Sequence, residues 1–150
     1  RRNRRSFSSP DNIVPRAENP DSCTLLLTDG KHNILLTGDA DLSVEYKILP
    51  KLDKIHVLQV GHHGSKTSTG EALVRHTQPD IALISSGRWN PWHFPNDDVM
   101  ARLKQQGTQS YNTAETGQIT LLFHENKIEI QTARAEFSPW YRRLIGLKGK

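Results

Sequence analysis

Short apolar runs alternate with polar connections rich in glycine and proline along most of this chain. Residues 23–28 (CTLLLT), 33–37 (NILLT), 55–60 (IHVLQV) and 81–85 (IALIS) have the length of strands rather than helices. Asp29-Gly30 between the first two predicts a hairpin. Residues 41–49 predict a short helix stopped by Pro50, and Ser68-Thr69-Gly70-Glu71 reads as a capping box opening a helix over 71–77, with Pro79 beyond it. A third helix is expected over 96–106, capped by Asn96, with Asp97 and Asp98 in its first turn and Gly107 after its end. Runs at 108–111, 118–123 and 127–132 complete a strand-rich end, the last two forming a hairpin across 124–126. Strands alternating with helices argue for an α/β unit in which helices cover a sheet.

Composition changes this picture at the two ends. Only 35% of the 150 residues are apolar, which fits a small core with polar tails. No apolar run reaches the length of a membrane span, and no secretory signal is visible. The formal charge of +4 conceals an asymmetry. Residues 1–16 and 134–150 together hold ten Lys and Arg against two Asp and Glu, whereas 17–133 holds ten against fourteen. The expected organisation is an extended, mostly unstructured basic lead-in (1–18), one domain (19–133) and a basic tail (134–150). Arg1-Arg2-Asn3-Arg4-Arg5 can touch phosphates or a membrane surface, but a solvated terminus is the plainer reading. The single cysteine, Cys23, reads as a small buried strand residue and excludes an internal disulfide.

Candidate chemistry gathers where the apolar runs end. Val60-Gly61-His62-His63-Gly64-Ser65 places imidazoles at a strand exit, among glycines that let the chain turn sharply. One segment upstream, Leu36-Thr37-Gly38-Asp39 presents a carboxylate in the same way. Asp39 can ligate a metal or cap the next helix. Successive side chains of an extended segment diverge, so only one of His62 and His63 is expected to face a metal: His62 by preference, with the reverse open. His63 would then orient Ser65 or a carboxylate behind the site. Ser65, Lys66 and Thr67 bring hydroxyls, amides and an ammonium near a helix start, which suits phosphate, while Ser68 is read as that helix's cap. The segment 87–95 (GRWNPWHFP) crowds aromatics with Arg88 and His93. Trp89, Trp92 and Arg88 are the composition that stacks bases and holds a nucleic-acid backbone, and His93 can protonate a leaving alkoxide. A rigid loop whose tryptophans pack on the sheet weighs nearly the same. His32, His56, His76 and His124 fit no constellation.

The segments 35–39 (LLTGD), 60–68 (VGHHGSKTS) and 85–93 (SSGRWNPWH), with Ser22 before the first strand and Gly117-Gln118-Ile119-Thr120 near the end, resemble the metallo-β-lactamase-like domain of ComEC-type competence DNA-uptake proteins. The resemblance covers about residues 19 to 123. It implies an αββα sandwich of which this chain is about the C-terminal half, a mixed sheet with helices on one face. The His-x-His-x-Asp-His loop that supplies most ligands in that superfamily is absent, as is a further histidine expected before Asp39. The family pattern more often has His-Pro where this chain has His93-Phe94-Pro95.

What the resemblance implies for function is part of a metal-dependent phosphodiesterase or nuclease associated with DNA uptake, using zinc or manganese held by Asp39, His62 and His63. His93, Asn90 and the Ser65–Thr67 loop would address the phosphate. With two or three ligands the chain alone is expected to be inactive. Expected partners are DNA, the missing N-terminal half of the domain, a membrane channel in the parent, and a second copy through the uncovered sheet face. Expected location is a soluble segment of a bacterial inner-membrane protein. A non-catalytic DNA-binding half-domain and a hydrolase of small phosphodiesters or esters are the alternatives.

Overall fold

The computed structural model describes residues 3–6, 21–125 and 127–134; most of the basic lead-in and nearly all of the basic tail lie outside this range. Six strands form one mixed sheet in the order β1-β2-β3-β4-β5-β6, and β7 and β8 form a separate two-stranded sheet. The strands are β1 (Asn3–Ser6), β2 (Leu25–Thr28), β3 (Asn33–Leu36), β4 (Val57–Gln59), β5 (Ile81–Ile84), β6 (Gln109–Asn112), β7 (Ile119–Phe123) and β8 (Ile128–Thr132). β1, β2 and β3 pair antiparallel; β3 through β6 run parallel. Within the expected extended lead-in, the backbone of β1 pairs with β2, setting Asn3 opposite Thr28 and Ser6 opposite Leu25, and residues 7–18 lie outside the described residues.

Three helices connect the parallel strands: α1 (Leu42–Ile48), α2 (Glu71–Thr77) and α3 (Asp97–Gln105). All three pack on one face. Leu35 and Leu58 share a core cluster with Ile48 of α1 and Leu73 of α2. Val60, Ala82 and Ile84 share another with Val74 of α2 and with Val99 and Leu103 of α3. Side chains alternate across a strand, so the neighbours of these residues, Ile34, Val57 and Ile81, point to the opposite face, where they lie in register. That face is less bare than expected. Val57 and Ile81 are buried, and the β7–β8 hairpin reaches this side, with Phe123 against the His32 ring at 5.5 Å and Ile128 lining a cleft with Ile81.

The helix starts obey different physics. Asp41, not Asp39, caps α1: its carboxylate accepts from the N–H groups of Ser43 and Val44 at 3.0 and 3.2 Å. Asn96 caps α3 as expected, accepting from Asp98 N–H at 3.0 Å. The capping box of α2 does not form. Gly70 stands at the cap position without a side-chain bond, and the Ser68 hydroxyl instead donates to Ala40 carbonyl at 2.7 Å. Glu45 of α1 instead holds the approach to the helix, its carboxylate accepting from the N–H groups of Thr69 and Gly70. A short helix α4 (Thr113–Thr116), capped by Asn112, had no counterpart in the sequence reading. Cys23 is exposed and precedes its strand rather than being buried within it. No described helix is long and apolar enough to cross a membrane.

Candidate functional site

Ligand sites in parallel α/β sheets lie beyond the carboxyl ends of the strands. Here those ends are Gly38-Asp39 after β3, the 61–64 turn after β4, Ser85-Ser86-Gly87 after β5 and Asn112-Thr113 after β6. Hydrogen bonds tie the first two together. The Gln59 side-chain oxygen accepts from both Thr37 and Gly38 N–H at 3.0 Å, the Thr37 hydroxyl donates to Gln59 carbonyl at 2.9 Å, and His62 N–H donates to Gly38 carbonyl at 2.9 Å. Asp39 is therefore carried next to the histidine turn. It is exposed and has no hydrogen bond or ion pair among the described residues.

The turn itself overturns one premise. His62 (φ 46°, ψ 49°) and His63 (φ 57°, ψ 16°) are not extended; both stand in the left-handed region. Two successive L-residues there cost about 1–2 kcal/mol each. The turn is held by Gly61 N–H to Thr69 Oγ1 at 2.9 Å, His62 N–H to Gly38 carbonyl, His63 Nδ1 to Ser85 carbonyl at 2.6 Å and Asn96 N–H to Gly64 carbonyl at 2.8 Å. Four bonds at roughly 1 kcal/mol each are enough to offset the strain. The consequence is that both rings, 6.3 Å apart, line one cleft, where an extended segment would have sent them to opposite sides. Among the described residues, four of the five non-glycine residues with positive φ (His62, His63, Thr69, His93) belong to loops at this end of the sheet.

The cleft encloses about 860 Å³ and is lined by His62, His63, Ser85, Ser86, Gly87, Asn90, Trp92 and Phe94. A carbonyl can only accept, so the contact between His63 Nδ1 and Ser85 carbonyl requires the proton on Nδ1. In the neutral ring Nε2 then carries the lone pair. The expected contact from His63 to Ser65 is absent. The buried Ser65 hydroxyl lies 3.0 Å from that of Thr67, and Lys66 lines a different cavity, between α1 and α2. Asn90 is a loop pin: its amide donates to the carbonyls of Gly87 and Phe94 and accepts from Phe94 N–H, at 2.8, 2.9 and 2.7 Å. Trp92 and Phe94 lie within 17° of parallel with centroids 6.4 Å apart, and Phe94 sits 5.9 Å from His62. Trp92 is 71% exposed and Trp89 90%, so the tryptophans do not pack on the sheet. Trp89, Arg88 and His93 stand outside the cleft lining, with Arg88 Nε donating to Ala114 carbonyl at 3.4 Å.

Of the expected site residues, then, the fold brings His62, His63, Asn90 and Trp92 to one cleft and sets Asp39 beside it. Ser65, Lys66 and Thr67 are not part of that cleft's lining. Sequence reading missed Ser85, whose carbonyl fixes the His63 tautomer, and Gln59, which staples two strand ends. It also missed Glu45 and Thr69 behind the turn. Burial outweighs the Gly70 and Thr69 N–H groups and the Arg102 charge and pushes the Glu45 carboxyl up to about 7. Only their three-dimensional pairing marks these four.

Asp39, His62 and His63 offer an oxygen and two nitrogen donors of the kind zinc or manganese accepts. No group of three or more His, Cys, Asp or Glu side chains able to hold a metal occurs among the described residues. These donors alone do not fit a catalytic ion.

Comparison with known proteins agrees with this frame. Over 139 residues the chain is 55% identical to Recombination protein 2 of Haemophilus influenzae, covering 93% of this chain and 18% of that protein. It is 36% identical over 114 residues to ComE operon protein 3 of Bacillus subtilis, covering 74% and 15% respectively. Competence protein ComA of Neisseria gonorrhoeae matches at 28% over 129 residues, covering 84% and 19%. The chain thus spans less than a fifth of the length of each of these relatives. The family model that describes the metallo-beta-lactamase superfamily matches residues 5–88, more than half of the chain, from within β1 to the start of the loop after β5. With the mixed sheet, its one-sided helices and the histidine turn at the strand ends, the match places this chain in the metallo-beta-lactamase superfamily.

Proposed function

We propose that this chain is the part of a phosphodiesterase or nuclease that carries the histidine turn and the substrate-facing wall, acting on DNA during its uptake. The observation that carries the reading is the paired strain at His62 and His63 together with the fixed tautomer of His63. Backbone strain persists where surrounding bonds over-determine it, and it clusters at working sites. Ligating histidines commonly donate their second N–H to a carbonyl, as His63 does to Ser85. His63 thus takes the ligand role first assigned to His62, Asp39 contributes the carboxylate, and the remaining donors come from outside the described residues. A bound divalent ion, zinc or manganese, would supply charge neutralisation at the phosphate and a more acidic water. The chain's own residues orient the substrate. Trp92 and Phe94 offer aromatic faces to a base, and Asn90 holds the loop that carries them. The competence-related names of the relatives favour DNA as substrate.

The test is elemental analysis of the chain purified without chelator, beside an Asp39→Ala/His63→Ala variant, followed by oligonucleotide cleavage with the rest of the parent domain supplied. The expected result is little metal in the chain alone and metal-dependent cleavage on complementation, lost in the double variant. Complementation without cleavage overturns the reading. A second reading, a DNA-binding half-domain without catalysis, draws on the exposure of Trp89 and Trp92 beside Arg88. Salt-sensitive binding of a single strand, indifferent to chelator, selects it.

A further inference from the structure

The histidine turn is held from the loop that leads into α2. Thr69, fully buried and itself in the left-handed region (φ 52°), offers its Oγ1 to Gly61 N–H at 2.9 Å, immediately before His62. Three bonds in turn fix Thr69 and Gly70. The Glu45 carboxylate accepts from both of their N–H groups, and Arg102 of α3 donates from its guanidinium to Thr69 carbonyl at 2.6 Å. The fit is close on every side. A Cβ on Gly70 would come within 2.5 Å of Leu42 Cδ2 and 3.1 Å of Glu45 Oε2, and one on Gly61 within 3.0 Å of Ser68 Cβ and 3.2 Å of Thr37 Oγ1. Glu45 is only 3% exposed, and a buried carboxylate persists only where something rewards it. Capping of α2 does not account for it, because the N–H groups it binds, those of Thr69 and Gly70, precede the first turn of that helix.

We propose that Glu45 is a positioning residue for the histidine turn, acting through Thr69 on Gly61 and so on the rings of His62 and His63, with Arg102 completing the clamp. The proposal rests on the reading of those rings as working groups. Its test reads ring geometry rather than cleavage, so the two can fail separately.

The measurement is ring-nitrogen NMR of the histidine-labelled 150-residue chain, following the His63 Nδ1 proton and the His62 and His63 nitrogen shifts. Thr69→Val removes the Oγ1 acceptor at nearly constant volume, Thr69→Ser keeps it, and Glu45→Gln sets an amide N–H₂ against one of two backbone donors. In Thr69→Val and Glu45→Gln the His63 Nδ1 proton is expected to exchange faster by roughly tenfold, the weight of one hydrogen bond. The His32 and His56 signals, at the far end of the sheet, stay in place. Thr69→Ser restores the wild-type pattern. Unchanged His62 and His63 signals in folded Thr69→Val and Glu45→Gln overturn the proposal. So does a common shift of all histidines, the mark of general loosening, or failure of Thr69→Ser to restore.

Discussion

Two histidine pairs sit at opposite ends of the same parallel strands, and the fold treats them in opposite ways. At the amino ends, His32 and His56 meet edge-to-face at 5.5 Å, and His32 is buried against Phe123. Their polar atoms are engaged locally: His32 Nδ1 pairs with Asp29 at 3.1 Å, and His56 Nδ1 accepts from Asn33 N–H at 3.0 Å. None of these residues has positive φ. At the carboxyl ends, His62 and His63 sit on strained backbone, and bonds from four separate segments hold them against a large cleft. One pair is packing, and the other is held at a cost. Histidine content does not separate them; backbone conformation and the surroundings of the second ring nitrogen do.

The largest effect that would break this contrast comes from glycine. Gly64 (φ +88°) closes the histidine turn, and a Cβ there would lie 2.5 Å from Pro95 Cβ and 2.9 Å from its Cα. Gly30 (φ +93°) turns the hairpin at the other end with open space around it. Gly30→Ala pays only the left-handed penalty, about 1 kcal/mol, whereas Gly64→Ala adds overpacking against a proline and loses about 3–4 kcal/mol. Urea unfolding of the two variants checks this, and equal losses would mean the turn is no tighter than a hairpin.

Acid–base behaviour also divides the ends, with opposite signs. The Glu45 carboxyl, raised to about 7 by burial, favours the folded state when protonated. Its contribution is therefore fully present below the unfolded carboxyl pKa near 4.5 and is lost as pH rises through 7, on the order of 3 kcal/mol. The charges facing it are Asp41 before α1, Lys66, Glu71 of α2 and Arg102 of α3. Asp29 is held well below the usual carboxylate range by the N–H groups of His32 and Lys31 and by the His32 ring. Its contribution exists above the ordinary carboxylate pKa and disappears as pH falls. Stability measured by denaturant between pH 4.5 and 8 should fall across neutrality, and Glu45→Gln should flatten that slope while Asp29→Asn leaves it. A slope that survives Glu45→Gln assigns the effect elsewhere.

The strands were legible because buried parallel strands read as continuous apolar runs: the run at 81–85 became β5 with one residue trimmed, and that at 55–60 kept its middle, Val57–Gln59, as β4. The superfamily and the cleft-facing residues His62, His63, Asn90 and Trp92 were legible from three segments in order. What failed was anything set by a partner distant in sequence. The capping box at Ser68–Glu71 obeyed every local rule, yet the helix starts from Gly70: Ser68 gives its N–H to Ser65 carbonyl and its hydroxyl to Ala40 carbonyl, and Glu45 holds the N–H groups of Thr69 and Gly70. The divergence argument for His62 and His63 assumed an extended backbone, which the turn's tertiary bonds replaced. The sequence placed Ser65 in a phosphate-facing loop by residue type, and its burial and pairing with Thr67 are facts of packing that residue type does not carry.

A moderate effect should separate the histidine pairs directly. His32→Ala removes a ring buried between His56 and Phe123 and leaves Asp29 without its side-chain partner, a loss of about 2 kcal/mol. His63→Gly loses the bond to Ser85 but relieves a left-handed residue, and the two terms nearly cancel, to within about 1 kcal/mol. Thermal or urea midpoints of the two variants decide this. A His63→Gly loss as large as that of His32→Ala would make the turn a structural element like the other pair.

The smallest effect on stability should mark the strongest effect on binding. Trp89 and Trp92 lie in the same loop, both exposed, so alanine at either position removes little packing, less than about 0.5 kcal/mol. Only Trp92 lines the cleft and runs nearly parallel to Phe94, which adjoins His62. If a base is held there, Trp92→Ala loses about 1–3 kcal/mol of single-strand affinity, roughly five- to a hundredfold, while Trp89→Ala loses several times less. Fluorescence titration of both variants with one short oligonucleotide, at low and high salt, makes the comparison. Equal losses would place the contact on the loop's outer surface. A loss confined to Trp92 would place the base beside the histidine turn, against the wall built by β5 and the aromatic loop.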